Sequence, residues 1–423
     1  MIYDVVVIGG GTAGCACAYT LGKLGLKTLI VEKNSFLGGA MTSAQVTPAM
    51  NTISNYNTDF YSDLTKELKT INGQITYSDG NKGWFNPELL KIALDNLMNK
   101  SNVDIIFDSE IEDAKIKNKS INLIKIKSNM LSVYIETSNV VDATGDANFS
   151  KKINCNFLED SNKFQPNNLR FIMSGIDIQK FSDWIMDFDK DRNVTSSAII
   201  DGQVHLSTAY TWDTNKNWAL KPFFDDAVKK KILKYKDTSY FQLFSIPSMP
   251  SSLTFNAPRI VFDDEIDPLD PIQRSKALQS GRQSIYRLVN FCKTYLIGFE
   301  NAYLSSIANT LGVRVSRRIK GRYVYTIDDL KSGKEFENPC LISDYPVDIH
   351  SGKKNNSVLE SNTKYSLPIE ALISDDYDNL YVIGRCLSAD FEAQAALRII
   401  PSCFSMGEGI AKYIANLANS KFS

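Results

Sequence analysis

Nearly unbroken apolar runs and stretches of helical spacing alternate along the chain. Ile2–Ile8 (IYDVVVI) is almost wholly apolar and predicts a buried strand. Residues 12–24 switch to helical spacing, and Lys27–Glu32 (KTLIVE) predicts a second strand. Strand, helix and strand joined by a short crossover are the seed of a parallel sheet. Asn86–Asn99 (NPELLKIALDNLMN) is amphipathic, and Pro87 sits where a helix tolerates proline. From Val103 to Val141, strand-like runs are broken by polar turns, which predicts a small antiparallel layer beside the parallel sheet. Residues 270–310 predict helix, opening at Asp270-Pro271. Asn379–Gly384 (NLYVIG) predicts a buried strand, and Pro401–Ala418 a closing helix.

Between about 150 and 320 the character changes. Trp184, Trp212, Trp218, Phe223, Phe224, Tyr240, Phe241 and Phe244 crowd this region, and Pro247, Pro250 and Pro258 punctuate it. Such a crowd could roof an apolar substrate, but aromatic clusters are usually plain core. A chain of 423 residues exceeds what one core usually supports. The expected fold is therefore α/β: a Rossmann-like domain (parallel sheet with a small antiparallel layer) with an inserted α+β substrate domain. The boundaries read as 1–150 for the first part of the nucleotide-binding domain, 151–345 for the substrate or cap domain, and 346–423 for the return.

Composition narrows the function. With 47 basic and 48 acidic residues the net charge is −1, which gives no broad field for nucleic acid or an anionic membrane. No stretch reaches the roughly 18 apolar residues of a membrane span. The first residues form a strand rather than a signal peptide. Seven scattered cysteines (15, 17, 155, 292, 340, 386 and 403) read as reduced thiols of a cytoplasmic protein. Their spacing to His205 and His350 predicts no metal site.

The chemistry begins after the first strand. In Gly9-Gly10-Gly11-Thr12-Ala13-Gly14, Gly9 allows the tight turn and Gly11 lets backbone approach a pyrophosphate. Gly14 lets the helix pack close to the strand. The helix N-terminus then offers free N–H groups to phosphate. Glu32, followed by Lys33, ends the second strand, where a carboxylate accepts both ribose hydroxyls and repels a 2′-phosphate. Gly38-Gly39-Ala40-Met41 suits a loop beside a pyrophosphate and ribityl chain, which favours FAD over NAD. Val140–Asp146 (VVDATGD), with Ala143, Thr144 and Gly145, and Leu380–Arg385 (LYVIGR), with Gly384 and Arg385, are strands ending in small residues.

With these pieces in this order, the chain resembles the FAD-dependent oxidoreductase family of the glutathione-reductase-like flavoproteins. It is most similar to the branch with fumarate-reductase-like and heterodisulfide-reductase-A-like proteins. The resemblance runs through GWFNPELLKIALDNL, VVDATGDANFS, FQPNNLRFIMSGID, GFENAYLSSIANTLGVRVSRRIKGRYVYTIDDL and GRCLSADFEAQAALRIIPSCFSMGEGIA. It implies an extended FAD, with adenine near Ile111 and the pyrimidine facing the N-terminus of the last helix around Ser405-Met406-Gly407. The chain departs from the family at Arg314-Val315-Ser316-Arg317-Arg318, Pro368-Ile369-Glu370 and Gly407-Glu408-Gly409-Ile410.

No second GxGxxG and no cysteine pair after Gly38-Gly39 are found. The reductant is therefore expected to be the substrate itself or a separate electron-transfer protein. Cys15 and Cys17 read as structural, and Cys403 as a small packing residue near the flavin-facing helix. Arg398, Arg317, Arg318 and Tyr323 are the catalytic candidates, since an arginine clamps a substrate carboxylate in bidentate fashion. The same arginines would serve equally as ion pairs between lobes. His205, among aromatics, reads as packing. The expected activity is hydride transfer between a small organic substrate and flavin N5, with oxygen or a carrier taking the electrons. The rivals are a reductase subunit fed by another protein and a flavin-holding protein without turnover.

Overall fold

The structure is a computed structural model. It describes every residue except 57, 130, 160–163, 212–217, 261–265, 351–354, 358–362 and 421–423. Trp212 of the aromatic group lies outside the described residues.

The first strand, β1 (Ile2–Ile8), is followed by helix α1 (Thr12–Lys23) and strand β2 (Thr28–Val31). β1 pairs in parallel with β2 on one side and with Leu131–Asp142 on the other. Asp104–Ile106 extends the parallel sheet beyond β2, and Leu380–Val382 joins it beside Leu131–Asp142. The registers Ile8↔Val31, Ile8↔Asp142 and Val382↔Asp142 bring the carboxyl ends of these strands to one edge. That edge is where open parallel sheets bind ligands. The unbroken apolar character of β1 has a physical cause, since both of its faces are covered. Val5 and Val7 pack with α1 and the final helix. Val6 and Ile8 pack with the antiparallel meander of Ser109–Lys117, Ser120–Ser128 and Leu131–Asp142.

The second layer is a six-stranded antiparallel sheet. Its order is Thr195–Ile200, Gln203–Thr211, Tyr240–Ile246, Met249–Phe255, Phe171–Ser174 and Tyr303–Ile307. Its core holds Phe224 and Phe241 of the aromatic crowd, with Trp184, Trp218 and Phe223 partly buried against it, so much of the crowd is core. Contributions to the first core resume at Tyr325 and Leu330, ahead of 345.

The helix expected over 270–310 is shorter than its sequence pattern. It spans Pro271–Tyr295, N-capped by Asp270, and Tyr303–Ile307 is a strand. Gly298, at φ +90°, turns the chain, and a Cβ there would stand 2.6 Å from the Asp177 carbonyl oxygen. Pairing of 303–307 with Phe171–Ser174 then outweighs local helix propensity. Among the described residues, no helix is long and apolar enough to cross a membrane.

A small aromatic cluster links the two layers. Tyr77 stacks on Trp84 at 4.3 Å, and Trp84 meets the buried His205 edge-on. Burial pushes the His205 pKa down to about 4, so the imidazole is neutral in the fold. The unfolded chain binds the extra proton between the ordinary value of ~6.5 and about 4, so stability falls as pH drops through that window. One proton contributes at most ~1.4 kcal/mol per pH unit. His205→Phe is expected to flatten this part of a plot of thermal midpoint against pH. An unchanged slope would refute this.

Candidate active site

The turn after β1 is built as tightly as its glycines require. Gly9 has φ +99°, and a Cβ on it would stand 2.7 Å from the Ala143 carbonyl oxygen. A Cβ on Gly14 would stand 2.0 Å from the Gly9 carbonyl oxygen. At Gly11 the nearest atoms to such a Cβ are Gly39 Cα at 3.8 Å and Ala143 O at 3.9 Å, so this position is open. Thr12 and Ala13 open α1 behind it. The Gly38 N–H donates to the Gly10 carbonyl (2.8 Å), and a Cβ on Gly39 would fall 2.7 Å from Gly11 Cα. The two glycine loops thus touch backbone to backbone. Ala40 and Met41 continue the second loop as a short turn, with Met41 in the core.

Glu32 is buried at the end of β2. Its Oε2 accepts from the Gly10 N–H (2.7 Å), and its Oε1 accepts from Asn34 N (2.9 Å) and Asn34 Nδ2 (2.6 Å). Beyond it an open cavity of about 510 Å³ is lined by Lys33, Ile111, Lys127 and Lys152. The neighbouring strand end is organised by Asp142. Its carboxylate accepts from Thr144 N (3.0 Å) and Oγ1 (2.7 Å), and from Ser150 N (2.8 Å) and Oγ (2.7 Å). Together with Ala143 and Gly145, this loop forms the far wall of the cradle.

Arg385 holds that loop. Its Nε donates to the Gly145 carbonyl (2.7 Å), Nη1 to the Val313 carbonyl (3.0 Å), and Nη2 to Asp146 Oδ1 (2.6 Å). Burial pushes the Asp146 pKa up, but the Arg385 charge and the Ser316 hydroxyl outweigh it, and the net shift is downward. Gly384 has φ +84°, and a Cβ on it would stand 3.6 Å from the Ala13 Cβ.

The expected position of the last helix's N-terminus is corrected. The helix spans Ile400–Ser420, so Ser405, Met406 and Gly407 lie inside it and are buried. A Cβ on Gly407 would stand 2.3 Å from the Ala13 carbonyl oxygen, so Gly407 lets the helix cross α1. The free N–H groups of this helix belong instead to the residues just after Arg398.

The catalytic candidates separate. Arg398 donates from Nη2 to the Asp348 carbonyl (3.0 Å) and approaches Asp348 Oδ2 at 3.5 Å. Arg317 donates from Nη1 to the Asp146 carbonyl (3.1 Å) and to Asn148 Oδ1 (3.2 Å), on the outside of the cradle loop. Arg318 is fully buried and donates to the Ala389 carbonyl (3.1 Å). The Tyr323 hydroxyl donates to Asp329 (2.9 Å) and accepts from Lys334 Nζ (2.8 Å), at the cap of a short helix. Tyr323 is thus away from the cradle. Cys15 and Cys17 are buried in α1. Burial pushes the Cys403 thiol up to about 12, so it stays protonated at neutral pH. Alkylation of native Cys403 is expected to be far slower than that of a free thiol, as peptide mapping after brief iodoacetamide treatment would read.

Sequence reasoning missed Arg170, Arg259 and Arg314, which are all buried. Burial pushes Arg170 down to about 10. Burial and then the repulsion of Arg398 and Arg259 push Arg314 down to about 9. One signal was readable: Arg170 interrupts the apolar run Leu169–Met173.

The cradle fits a dinucleotide. Gly11 leaves room for a phosphate at a helix N-terminus, Glu32 stands where a ribose would, and the cavity beyond it takes a base. The comparisons with known proteins agree. A thiamine thiazole synthase of Pyrococcus horikoshii is 28% identical over 152 residues, covering 34% of this chain and 57% of that protein. A glycerol 3-phosphate oxidase of Mycoplasma genitalium is 51% identical over 35 residues, covering 8% of this chain and 9% of that protein. The curated relatives are therefore matched over less than two thirds of their own length. Among solved structures, the p-nitrophenol 4-monooxygenase of Pseudomonas putida superposes with a TM-score of 0.52 at 9% identity. It is covered to 82%, and this chain to 100%. The flavin-dependent halogenase CmlS gives 0.50 at 12% identity, with 59% of its chain and 99% of this one covered. These two likenesses concern the fold. The family model described as FAD dependent oxidoreductase matches residues 4–422. The chain therefore belongs to the FAD dependent oxidoreductase family.

Proposed function

We propose that the protein oxidises a small organic substrate at a site between the cradle and the antiparallel sheet. The observation that carries this reading is the seam joining the second glycine loop to that sheet. Arg170 Nη1 donates to the Thr47 carbonyl (2.8 Å), Gln45 Nε2 to Ser306 Oγ (2.7 Å), and Thr310 N to the Ser43 carbonyl (3.1 Å). Gly11, Gly14 and Gly39 would hold the pyrophosphate, Glu32 the ribose, and Lys33 and Ile111 the adenine side. Residues along the seam are then where substrate meets cofactor. FAD held there would supply a two-electron acceptor for hydride from a substrate C–H, with oxygen or a carrier taking the electrons onward.

The chain's own residues divide the work. Arg398, beside the start of the final helix, orients substrate. Arg317 and Arg385 keep the 143–146 loop in place from opposite sides. Arg318 and Tyr323 are positioning residues. Residues 1–150 and 346–423 hold the cofactor, and the bulk of 151–345 shapes the substrate side. Seven unpaired thiols suit a reducing compartment, and we assign the protein to the cytoplasm.

The test is a visible spectrum of the purified protein, recorded before and after denaturation and then during anaerobic titration with candidate substrates. A flavin spectrum released as FAD and bleached by a carbon substrate supports the reading. Flavin reduced only by an added donor protein would replace it with a reductase subunit. Arg398→Ala that keeps its flavin and loses substrate-dependent bleaching would separate an enzyme from a passive flavin holder.

A further inference from the structure

Positive φ singles out one buried polar residue. Among the described residues, eleven non-glycine residues have positive φ, and nine of them are exposed, as turn residues commonly are. The two buried ones are Ala147 and Gln45, and of these Gln45 alone has a polar side chain. Gln45 stands at φ +53° and is 4% exposed. Left-handed backbone costs free energy for a residue with a long side chain, and it persists only where the surroundings over-determine it.

The surroundings of Gln45 grip it from both layers. On the cradle side, Ser43 N donates to the Gly39 carbonyl (2.8 Å) and Val46 N to the Ala40 carbonyl (3.0 Å), so residues 43–46 fold back on the second glycine loop. From the antiparallel sheet, Arg170 Nη1 donates to the Thr47 carbonyl (2.8 Å) and lies 3.4 Å from the Gln45 carbonyl. Thr310 N donates to the Ser43 carbonyl (3.1 Å), and Gln45 Nε2 donates to Ser306 Oγ (2.7 Å). One atom of the side chain is left over. Gln45 Oε1 is buried and has no hydrogen-bond partner among the described residues. An unmet buried acceptor costs the fold free energy, and the cost is removed when an N–H or O–H donor arrives.

The direction of the cradle points to the donor. Glu32 and the cavity beyond it suit ribose and adenine at one end. A Cβ on Gly39 would fall 2.7 Å from Gly11 Cα, so the two loops meet where the pyrophosphate belongs. An extended dinucleotide with those two parts in place has its other end past Gly39, where residues 43–46 fold back. In FAD that end is the isoalloxazine, which carries N3–H in both redox states and N5–H after two-electron reduction.

We propose that Gln45 contacts the flavin, its Oε1 accepting a hydrogen bond from an N–H of the isoalloxazine ring. This rests on the reading that the flavin end of the cofactor lies at the seam. Ser306 fixes the tilt of the carboxamide and the gripped backbone fixes its place, so Gln45 positions the ring and takes no part in bond making.

The test compares Gln45→Gly, Gln45→Met and Ser306→Ala with the parent protein. Glycine adopts φ +53° freely, so Gln45→Gly removes the carboxamide without asking more of the backbone. Gln45→Met fills the same space and serves where the glycine variant does not fold. Apo protein is titrated with FAD by fluorescence, and reconstituted protein is reduced chemically against a reference dye to give its midpoint potential. Both Gln45 variants are expected to show one of two losses. A contact to N3–H weakens FAD binding about tenfold at unchanged potential. A contact to N5–H leaves binding of oxidised FAD unchanged and lowers the potential by about 30 mV, the two-electron equivalent of tenfold. Ser306→Ala keeps the free oxygen and is expected to change either quantity about threefold or less.

FAD affinity and potential both unmoved in the Gln45 variants would overturn the contact, even if the apo thermal midpoint shifts, since that is what a purely structural tie between layers predicts. A full loss reproduced by Ser306→Ala would overturn it as well. No substrate enters these measurements. Protein that responds at Gln45 but is never bleached by a carbon substrate keeps the contact and removes substrate oxidation. Protein that takes up no FAD overturns both together.

Discussion

Gly14→Ala is expected to yield protein that is poorly folded and colourless, whereas Gly11→Ala is expected to fold normally and lose FAD selectively. The two glycines lie in one turn, and the geometry separates them. A Cβ on Gly14 would stand 2.0 Å from the Gly9 carbonyl oxygen, which is backbone and cannot rotate aside. The turn must open, at a cost of about 2–3 kcal/mol or more for overpacking at a buried site. The Gly14 backbone is also part of α1, so the strain reaches the packing of the final helix on it. At Gly11 the backbone has φ −79°, which any residue adopts, and nothing stands within 3.8 Å of the added methyl. The apo fold therefore tolerates alanine, but the methyl fills the space a phosphate needs at the helix N-terminus. FAD affinity should fall about tenfold or more, equivalent to ~1.4 kcal/mol or above. Thermal midpoints of apo protein and fluorescence titration with FAD check both halves. Equal apo stability for the two variants would contradict this account of the turn.

The second large effect is expected at the pair that pins the far wall. Arg385→Met should destabilise the protein by about 3 kcal/mol, because it strands Asp146 as a buried charge. The same substitution frees the Gly145 and Val313 carbonyls from their donor. Asp146→Asn combined with Arg385→Met should recover part of the loss, since replacing both members of a buried pair removes the stranded charge. The pH dependence has a definite sign. The Asp146 pKa in the fold lies below its ordinary value, so the unfolded chain takes up the proton first as pH falls. The contribution is therefore fully present above ~4 and lost as pH drops through the folded value. Arg385→Met should lose this acid-dependent term. Urea unfolding of Asp146→Asn, Arg385→Met and the double variant at pH 7 and at pH ~3 would measure it, and additive single-variant effects would refute coupling.

Local features were legible in the sequence wherever periodicity or turn chemistry acts over a few residues. The strand–helix–strand unit, the Pro87–Lys100 helix and the glycine cradle all stand where the pattern put them. Each depends on neighbours in the chain: alternation for buried strands, an asparagine cap before a proline, and glycines that no side chain could replace. Glu32 was legible because a strand end and a helix start define its place.

What could not be read depends on partners far along the chain. Residues 303–307 are a strand because Phe171–Ser174 lies ready to pair, and nothing within 270–310 encodes that edge. Ser405–Gly407 stand inside a helix because it begins at Ile400, and Gly407 answers to Ala13 across the crossing rather than to a ligand. Within Arg314–Arg318 the chain alternates its duties. Arg314 turns toward the seam, Arg317 grips the outside of the cradle loop, and Arg318 reaches the Ala389 carbonyl. A run of arginines shows charge, but only the fold decides which of them point inward. The sequence by itself therefore determined the cofactor cradle, because glycine sterics and strand-end chemistry are local. The tertiary structure alone decided that Arg170, Arg259 and Arg314 are buried around Tyr240, because they come from segments far apart in the chain that no short window of sequence joins.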